Sequence, residues 1–406
     1  MPDIPTQKTG AVSPASALLV GFFFLNTFLL PGGLLYTTLL SPLFLFLILR
    51  RGQWKPLAWY LALSVPLAFY HLSRGAVLES FAKSYLLFSS VFLFVSWAFF
   101  FLQEHREALR WGFRQVAIYN TLFVGVALLA LAIPGFGKLF WYYEPIHPAI
   151  PAFPRLKLLV YESSFYALQL APVFLFYFLS FLFARGNRYL RETALLGGAL
   201  LLSLSFGVLG GLALAILLVF FLHAFRLLRY KKVFFAAAYL CLAGGVGAFF
   251  LFQVFPFNPV AERVEFILAG HDSSANGRTW EAFLLAWGIL GKTSYLLGAG
   301  LGQIKEVGHS LIVEYYNYEG EWAELARIPN AMAETLATFG IAGAAGRILV
   351  QAMLFVYTRV YVNYYRLALF FFVFLYQFTG SYLTNIYEYL IWVIVFLPVF
   401  PEFGRE

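Results

Sequence analysis

Arg155-Leu-Lys157, followed by Tyr161-Glu162-Ser163-Ser164, puts two cations and a carboxylate just ahead of a long apolar run. A carboxylate at the mouth of an apolar helix is costly unless a cation or donor accompanies it, and Arg155 is the nearest arginine in sequence. The competing reading is that both residues mark a lipid headgroup boundary, where arginine extends its head toward water. Further on, Asn276-Gly277-Arg278-Thr279-Trp280 opens a segment of helical periodicity. Arg278 near a helix N-terminus offers a forked cation beside free backbone N–H groups, a chemistry suited to phosphate oxygens. The bland alternative is a pair with Glu281 across one turn. Leu296-Leu-Gly298-Ala-Gly300-Leu-Gly302 comes next. No strand precedes it and no phosphate-loop lysine follows, so it does not read as a nucleotide site.

Two more groups complete the set. His309 shares the 254–330 segment only with His271, and imidazole titrates near neutrality, which suits acid/base work; a lone histidine without a paired acid is otherwise a bystander. Arg327-Ile-Pro329-Asn330-Ala-Met-Ala-Glu334 leads into a run that continues through Gly340 and Gly343. Pro329 suits a helix start, Asn330 can cap it, and Glu334 falls one turn inside, where pairing with an external arginine is expected. Gly340 and Gly343 permit close approach between membrane helices. No His/Asp/Glu cluster has metal-ligand spacing, so neither a metal nor another cofactor is expected.

The elements that must hold these residues follow from composition. Of 406 residues, 61% are hydrophobic and only 12% charged, with a mean hydropathy of +0.77; water-exposed surface needs about twice that share of charge. A soluble protein is excluded. Runs such as Leu43 to Leu49 and Phe370 to Leu375 are apolar on every side, so the chain reads as an all-α, polytopic transmembrane helical bundle rather than an alternating β-barrel. Twelve spans are expected, near 16–31, 34–49, 56–72, 84–102, 116–133, 161–184, 193–207, 210–225, 233–253, 331–358, 367–383 and 387–400. The seventh and eighth meet at the glycine-rich Phe206 to Gly211 and are either a hairpin or one bent helix. Cys241 is the only cysteine, which excludes a disulfide framework within one chain.

The connections 50–55, 104–114, 185–192, 226–232 and 359–366 hold 15 Lys/Arg in 40 residues, against 10 in 115 for 73–83, 134–160 and 254–330. The dense set is expected in the cytoplasm, an alternation that requires 193–225 to be a hairpin. Three regions result: nine spans over 1–253 with an external segment near 134–160, a large outer loop over 254–330, and C-terminal spans over 331–406. The outer loop carries nine acids and five bases, which argues against a nucleic-acid partner although the whole chain is +8. Within it, Trp280, Phe283, Leu284 and Trp287 predict an amphipathic helix over 279–290 at the membrane surface.

Asn330, nine residues, Gly340, two residues and Gly343 is a spacing that resembles the signature of bacterial O-antigen ligases and O-antigen polymerases. The histidine that precedes the asparagine in the ligases is Pro329 here, which favours the polymerase branch. Arg155 ahead of Glu162-Ser163-Ser164, and Arg278-Thr-Trp280 with Gly298-Ala-Gly300, are similar to further parts of that family over about residues 150–345. The resemblance implies a multi-pass protein of the bacterial inner membrane, with its site facing the periplasm. Its substrates would be oligosaccharide repeat units on undecaprenyl diphosphate, as donor and acceptor, and a chain-length regulator is an implied partner besides membrane lipid.

Sugar transfer from a lipid diphosphate requires the departing diphosphate to be neutralised. No outer acid pair is available to hold a cation, so Arg155, Arg278 and Arg327 are the candidate clamps, with Tyr161 and Asn330 beside them. Glu162 and Glu334 are the candidate bases or orienting carboxylates, and His309 a further one. Tyr315, Tyr316, Tyr318 and Trp322 offer faces for sugar stacking or belong to an interfacial aromatic belt. A ligase acting on lipid A core shares the donor. A transporter or lipid flippase shares the span number, but usually carries internal repeats and midplane charges, which are not expected here.

Overall fold

The computed structural model describes residues 14–25, 29–30, 34–133, 135–143, 154–184, 186–228, 231–235, 242, 245–246, 249–254, 258–270, 276–316 and 327–404. Cys241, His271, Tyr318 and Trp322 lie outside those residues, as does about half of the expected ninth span. The fold is all-α: α1 (Pro14–Leu25), α2 (Ser41–Arg50), α3 (Lys55–Ser73), α4 (Leu78–Glu104), α5 (Arg106–Ala130), α6 (Ser163–Phe183), α7 (Leu190–Leu202), α8 (Phe206–Leu227), α9 (Pro259–Leu268), α10 (Trp280–Lys292), α11 (His309–Tyr316), α12 (Ala331–Tyr357), α13 (Tyr364–Tyr376) and α14 (Ile386–Phe396). Among the described residues the only strands are two antiparallel pairs of two residues each, β1 (Leu29–Leu30) with β2 (Leu34–Leu35) and β3 (Trp141–Tyr142) with β4 (Arg155–Leu156).

Among the described residues five helices, α4, α5, α6, α8 and α12, are long and apolar enough to cross a bilayer. In hydrocarbon every backbone group must be bonded within the segment, which helices alone achieve for an isolated span. α13 and α14 are shorter than the expected eleventh and twelfth spans: at 13 and 11 residues they rise about 20 and 16 Å, less than a hydrocarbon core. α13 ends early because residues 377–385 are a connection whose polar groups are engaged by α12, and α14 stops at Phe396 because Leu397, which precedes Pro398, is extended. α6 is the most enclosed span and runs through the centre, where Tyr166, Leu168, Leu170, Val173 and Leu175 are buried.

α7 and α8 form a hairpin, with the turn at Ser203-Leu-Ser205 rather than at the glycine-rich stretch. The Ser203 hydroxyl donates to the Leu200 carbonyl and accepts from the Ser205 N–H, so the serines end one helix and start the next. Gly207, Gly210 and Gly211 lie inside α8, and a Cβ on Gly211 would touch Phe372 of α13.

The basic connections gather at one end. Arg51 pairs with Glu104 at 3.1 Å, Arg110 with Glu402 at 2.6 Å, and Lys232 caps the Phe181, Ala184 and Gly186 carbonyls at the end of α6. Asn363 reaches the Phe400 carbonyl. The starts of α4, α6, α12 and α14 and the ends of α3, α5 and α13 lie at the opposite end, together with α10 and α11.

Candidate functional site

α12 is where the local chemistry diverges most from an ordinary span. Asn330 caps it, accepting from the Ala333 N–H at 2.8 Å and donating to the carbonyls of Arg278 at 2.7 Å and Phe378 at 2.6 Å. The same asparagine therefore binds the start of α12, the lead-in to α10 and the end of α13, and its amide is fully engaged. The first two N–H groups of α12 donate to the Gly380 and Gln377 carbonyls. A helix start thus saturated has no N–H left for an anion.

Nine residues further on, Gly340 takes φ +66° and breaks α12. The loop after α10 fills the break: the N–H groups of Ala299 and Gly300 donate to the Ala337 and Thr338 carbonyls, and those of Ile341 and Ala342 donate to Tyr295 and Leu296. A Cβ at Gly340 would lie 2.3 Å from the Leu296 oxygen, and one at Gly298 2.5 Å from the Thr338 oxygen. The close approach expected at Gly340 is therefore between a broken helix and a loop, not between two helices. On its other side the loop is pinned by Gln303, which accepts from the Val77 N–H and donates to the Val77 carbonyl, and by Glu306, which accepts from Ser80.

α10 forms where expected, but its Ala282, Leu285, Ala286 and Ile289 face is the buried one, packed with Ile328, Ala333 and Ala337. Trp280, Leu284 and Trp287 are exposed. Alanines on one side let α10 approach α12 closely, which a sequence count of large apolar residues does not register.

Arg278 leads into α10, and its guanidinium lies 3.9 Å from Glu162 at the start of α6, with side chains 38% and 20% exposed. The cation within ion-pair reach of Glu162 is thus 116 positions away in sequence. Arg155, the nearest arginine in sequence, lies over the Tyr142 ring at 4.8 Å, on the β3–β4 pair. Lys157 beside it is partly buried, and desolvation lowers its pKa. Glu281 is beside Tyr315 of α11 rather than Arg278.

The connection 377–385 closes the site. Arg327 lies over the Tyr382 ring at 5.8 Å, Tyr382 stacks on Phe165 of α6, and the Glu334 carboxylate accepts from the Leu383 N–H. Tyr382 thus lies between Arg327 and the first turn of α6, just past the Glu162–Arg278 pair, and beside the Leu383 N–H that Glu334 holds. Four residues from three separated stretches of sequence therefore converge on one tyrosine. Tyr161 is exposed next to Glu162. His309 is apart from the group: its neighbour Ser310 accepts from Lys292 at the far end of α10, about 20 Å along the helix from Arg278. Of the aromatic set, Tyr315 is exposed on α11, and the Tyr316 side chain is outside the described residues.

One cluster has no counterpart in the sequence reading. Arg347, inside α12, donates from Nε to Gln377 and from Nη1 to Thr335, each at 2.9 Å. Its Nη2 donates to the fully buried Glu388 of α14. The expected absence of charges within the spans is overturned by this pair. The signal was legible, since an ionisable residue inside an apolar run is expensive and so needs a partner; counting charge only in the connections passes over it. Among the described residues no group of three or more His, Cys, Asp or Glu is placed to hold a metal. No protein-family model matches this chain, and no curated protein matches it.

Proposed function

We propose that this membrane protein is a glycosyltransferase that joins oligosaccharide repeat units carried on a polyprenyl diphosphate, with the site on the non-cytoplasmic side of a bacterial inner membrane. The observation that carries the reading is the convergence of two arginines, Arg278 and Arg327, with two carboxylates, Glu162 and Glu334, around Tyr382. Guanidinium groups stay charged and bind phosphate oxygens bidentately, so such a pair suits a departing diphosphate. The resemblance of the Asn330–Gly340–Gly343 spacing to O-antigen polymerases supports the same substrate class, and the basic connections at the opposite end support the orientation.

In this reading the acceptor hydroxyl attacks the anomeric carbon of the donor sugar, a glycosidic bond forms, and the bond from that carbon to the diphosphate oxygen breaks. The hydroxyl proton passes to a carboxylate, and Glu162 is the better placed of the two because its Arg278 partner is at the limit of ion-pair distance. The negative charge that develops on the diphosphate is met by Arg278 and Arg327. Arg155 is held over Tyr142 and is assigned to the rim.

A second reading, a lipid or polysaccharide transporter, is favoured by the intramembrane Arg347–Glu388 pair. One experiment separates them. Purified protein in liposomes is given lipid-linked repeat units. Polymer on the lipid, lost in Arg278→Ala, is the expected result; translocated lipid with no new glycosidic bond overturns the transferase reading.

A further inference from the structure

We infer that Arg347 is a positioning residue for this site: it holds the 377–383 connection, and through it Tyr382 and Leu383, against Arg327 and Glu334. The inference rests on the transferase reading for its consequence in turnover, and on geometry alone for the clasp. Arg347 uses three nitrogens on three different partners. Thr335 belongs to the part of α12 before the Gly340 break, Gln377 begins the connection, and Glu388 belongs to α14 after it. Gln377 is completely buried and acts as the hub. Its side-chain oxygen accepts from both Arg347 and Gln351, its amide donates back to Gln351, and its backbone oxygen accepts from Met332.

The connection is then tied to α12 three more times, at Phe378 by Asn330, at Gly380 by Ala331 and at Leu383 by Glu334. Those ties all come from Asn330 and the short half-helix 331–339 that it caps. Gln351 also reaches Gln377 from beyond the break, but among these contacts Arg347 alone bonds the half-helix itself, at Thr335, while also gripping Gln377 and α14. It therefore fixes the angle of the half-helix that carries Asn330 and Glu334 relative to the connection that carries Tyr382. A planar fork with donors in fixed directions can do this; a lysine can satisfy one partner at a time. An ion pair whose only role is packing would be replaceable by apolar side chains of similar volume at little cost.

The test uses full-length protein in liposomes, with Arg347→Lys and the double variant Arg347→Met/Glu388→Leu, which leaves no unpaired charge. Displacing reacting groups by about 1 Å costs about 10²-fold in rate. The expected result is a kcat lower by about that factor in the folded double variant, with KM for the lipid-linked donor within about twofold, and partial recovery in Arg347→Lys. A second readout does not pass through turnover. A cysteine introduced as Ser381→Cys on a Cys241→Ala background is buried in the connection and should react slowly with a maleimide, and about tenfold faster once Arg347 and Glu388 are replaced.

Wild-type kcat in the folded double variant, or a rise in KM that accounts for the whole loss, overturns the assignment. So does unchanged labelling at position 381. If wild-type protein forms no polymer while labelling still responds to Arg347, the clasp stands and the transferase reading fails.

Discussion

Glu162 and Glu388 each face an arginine at the start of an apolar helix, yet they are held differently. Glu388 is fully buried, in contact with Arg347, within a network that also engages Thr335, Gln377 and Gln351. Glu162 is 20% exposed and 3.9 Å from Arg278, with Tyr382 and Arg327 nearby and no comparable network. The first arrangement ties both charges by several directional bonds away from water and so resists change. The second leaves capacity for a further partner, since a guanidinium with one long contact has donors to spare. A buried ion pair is therefore no guide by itself to the reactive place in this protein; the looser pair at the rim of the bundle is the better candidate.

The contrast is broken most severely at the tight pair. Glu388→Gln leaves the Arg347 guanidinium buried without its counter-charge and should cost about 3–5 kcal/mol, whereas Glu162→Gln should cost less than about 1 kcal/mol. Thermal unfolding of both variants in detergent measures the difference, and equal losses would erase the distinction. The loose pair should show the opposite profile in turnover. In the proposed transferase, Arg278→Ala would remove a bidentate contact to charge that develops during the reaction and should lower polymer formation by about 10²-fold or more, with only partial rescue by Lys; an Ala variant of full activity removes Arg278 from the proposed site.

The clasp at the α12 break sits between these effects. Gly340→Ala and Gly298→Ala each force a side chain into the left-handed region, at φ +66° and +73°, against a carbonyl oxygen, and should cost about 1–3 kcal/mol. Gly198→Ala in α7, where nothing lies within 4 Å, is the matched control and should be neutral or slightly stabilising. The smallest effect is expected at the basic end. Arg51 and Glu104 have side chains 31% and 47% exposed, so Arg51→Ala should change stability by less than about 1 kcal/mol and leave turnover intact.

The all-α membrane class, the helices that carry Glu162 and Glu334, and the basic end were legible in the sequence. Each depends on local properties: runs of apolar residues, a capping asparagine at position 330, and the density of Lys/Arg in connections. Pairing was not legible. Arg155 is seven positions from Glu162, but the β3–β4 register puts it over Tyr142, while Arg278 arrives from a separate helix. Gly298, Gly300 and Gly340 could be seen as glycines, but not as the two sides of one joint, because the backbone bonds that join them cross about 40 residues of sequence. Residues 377–383 read as the end of the eleventh span for a similar reason. They carry no charge and follow directly on the apolar run from Leu367 to Tyr376, and only the carbonyls taken by Asn330 and Ala331 and the hub at Gln377 show that the helix stops there. Hydrophobic burial, being non-directional, is written into composition; hydrogen bonds between distant segments depend on direction and distance, and those only the tertiary structure decides.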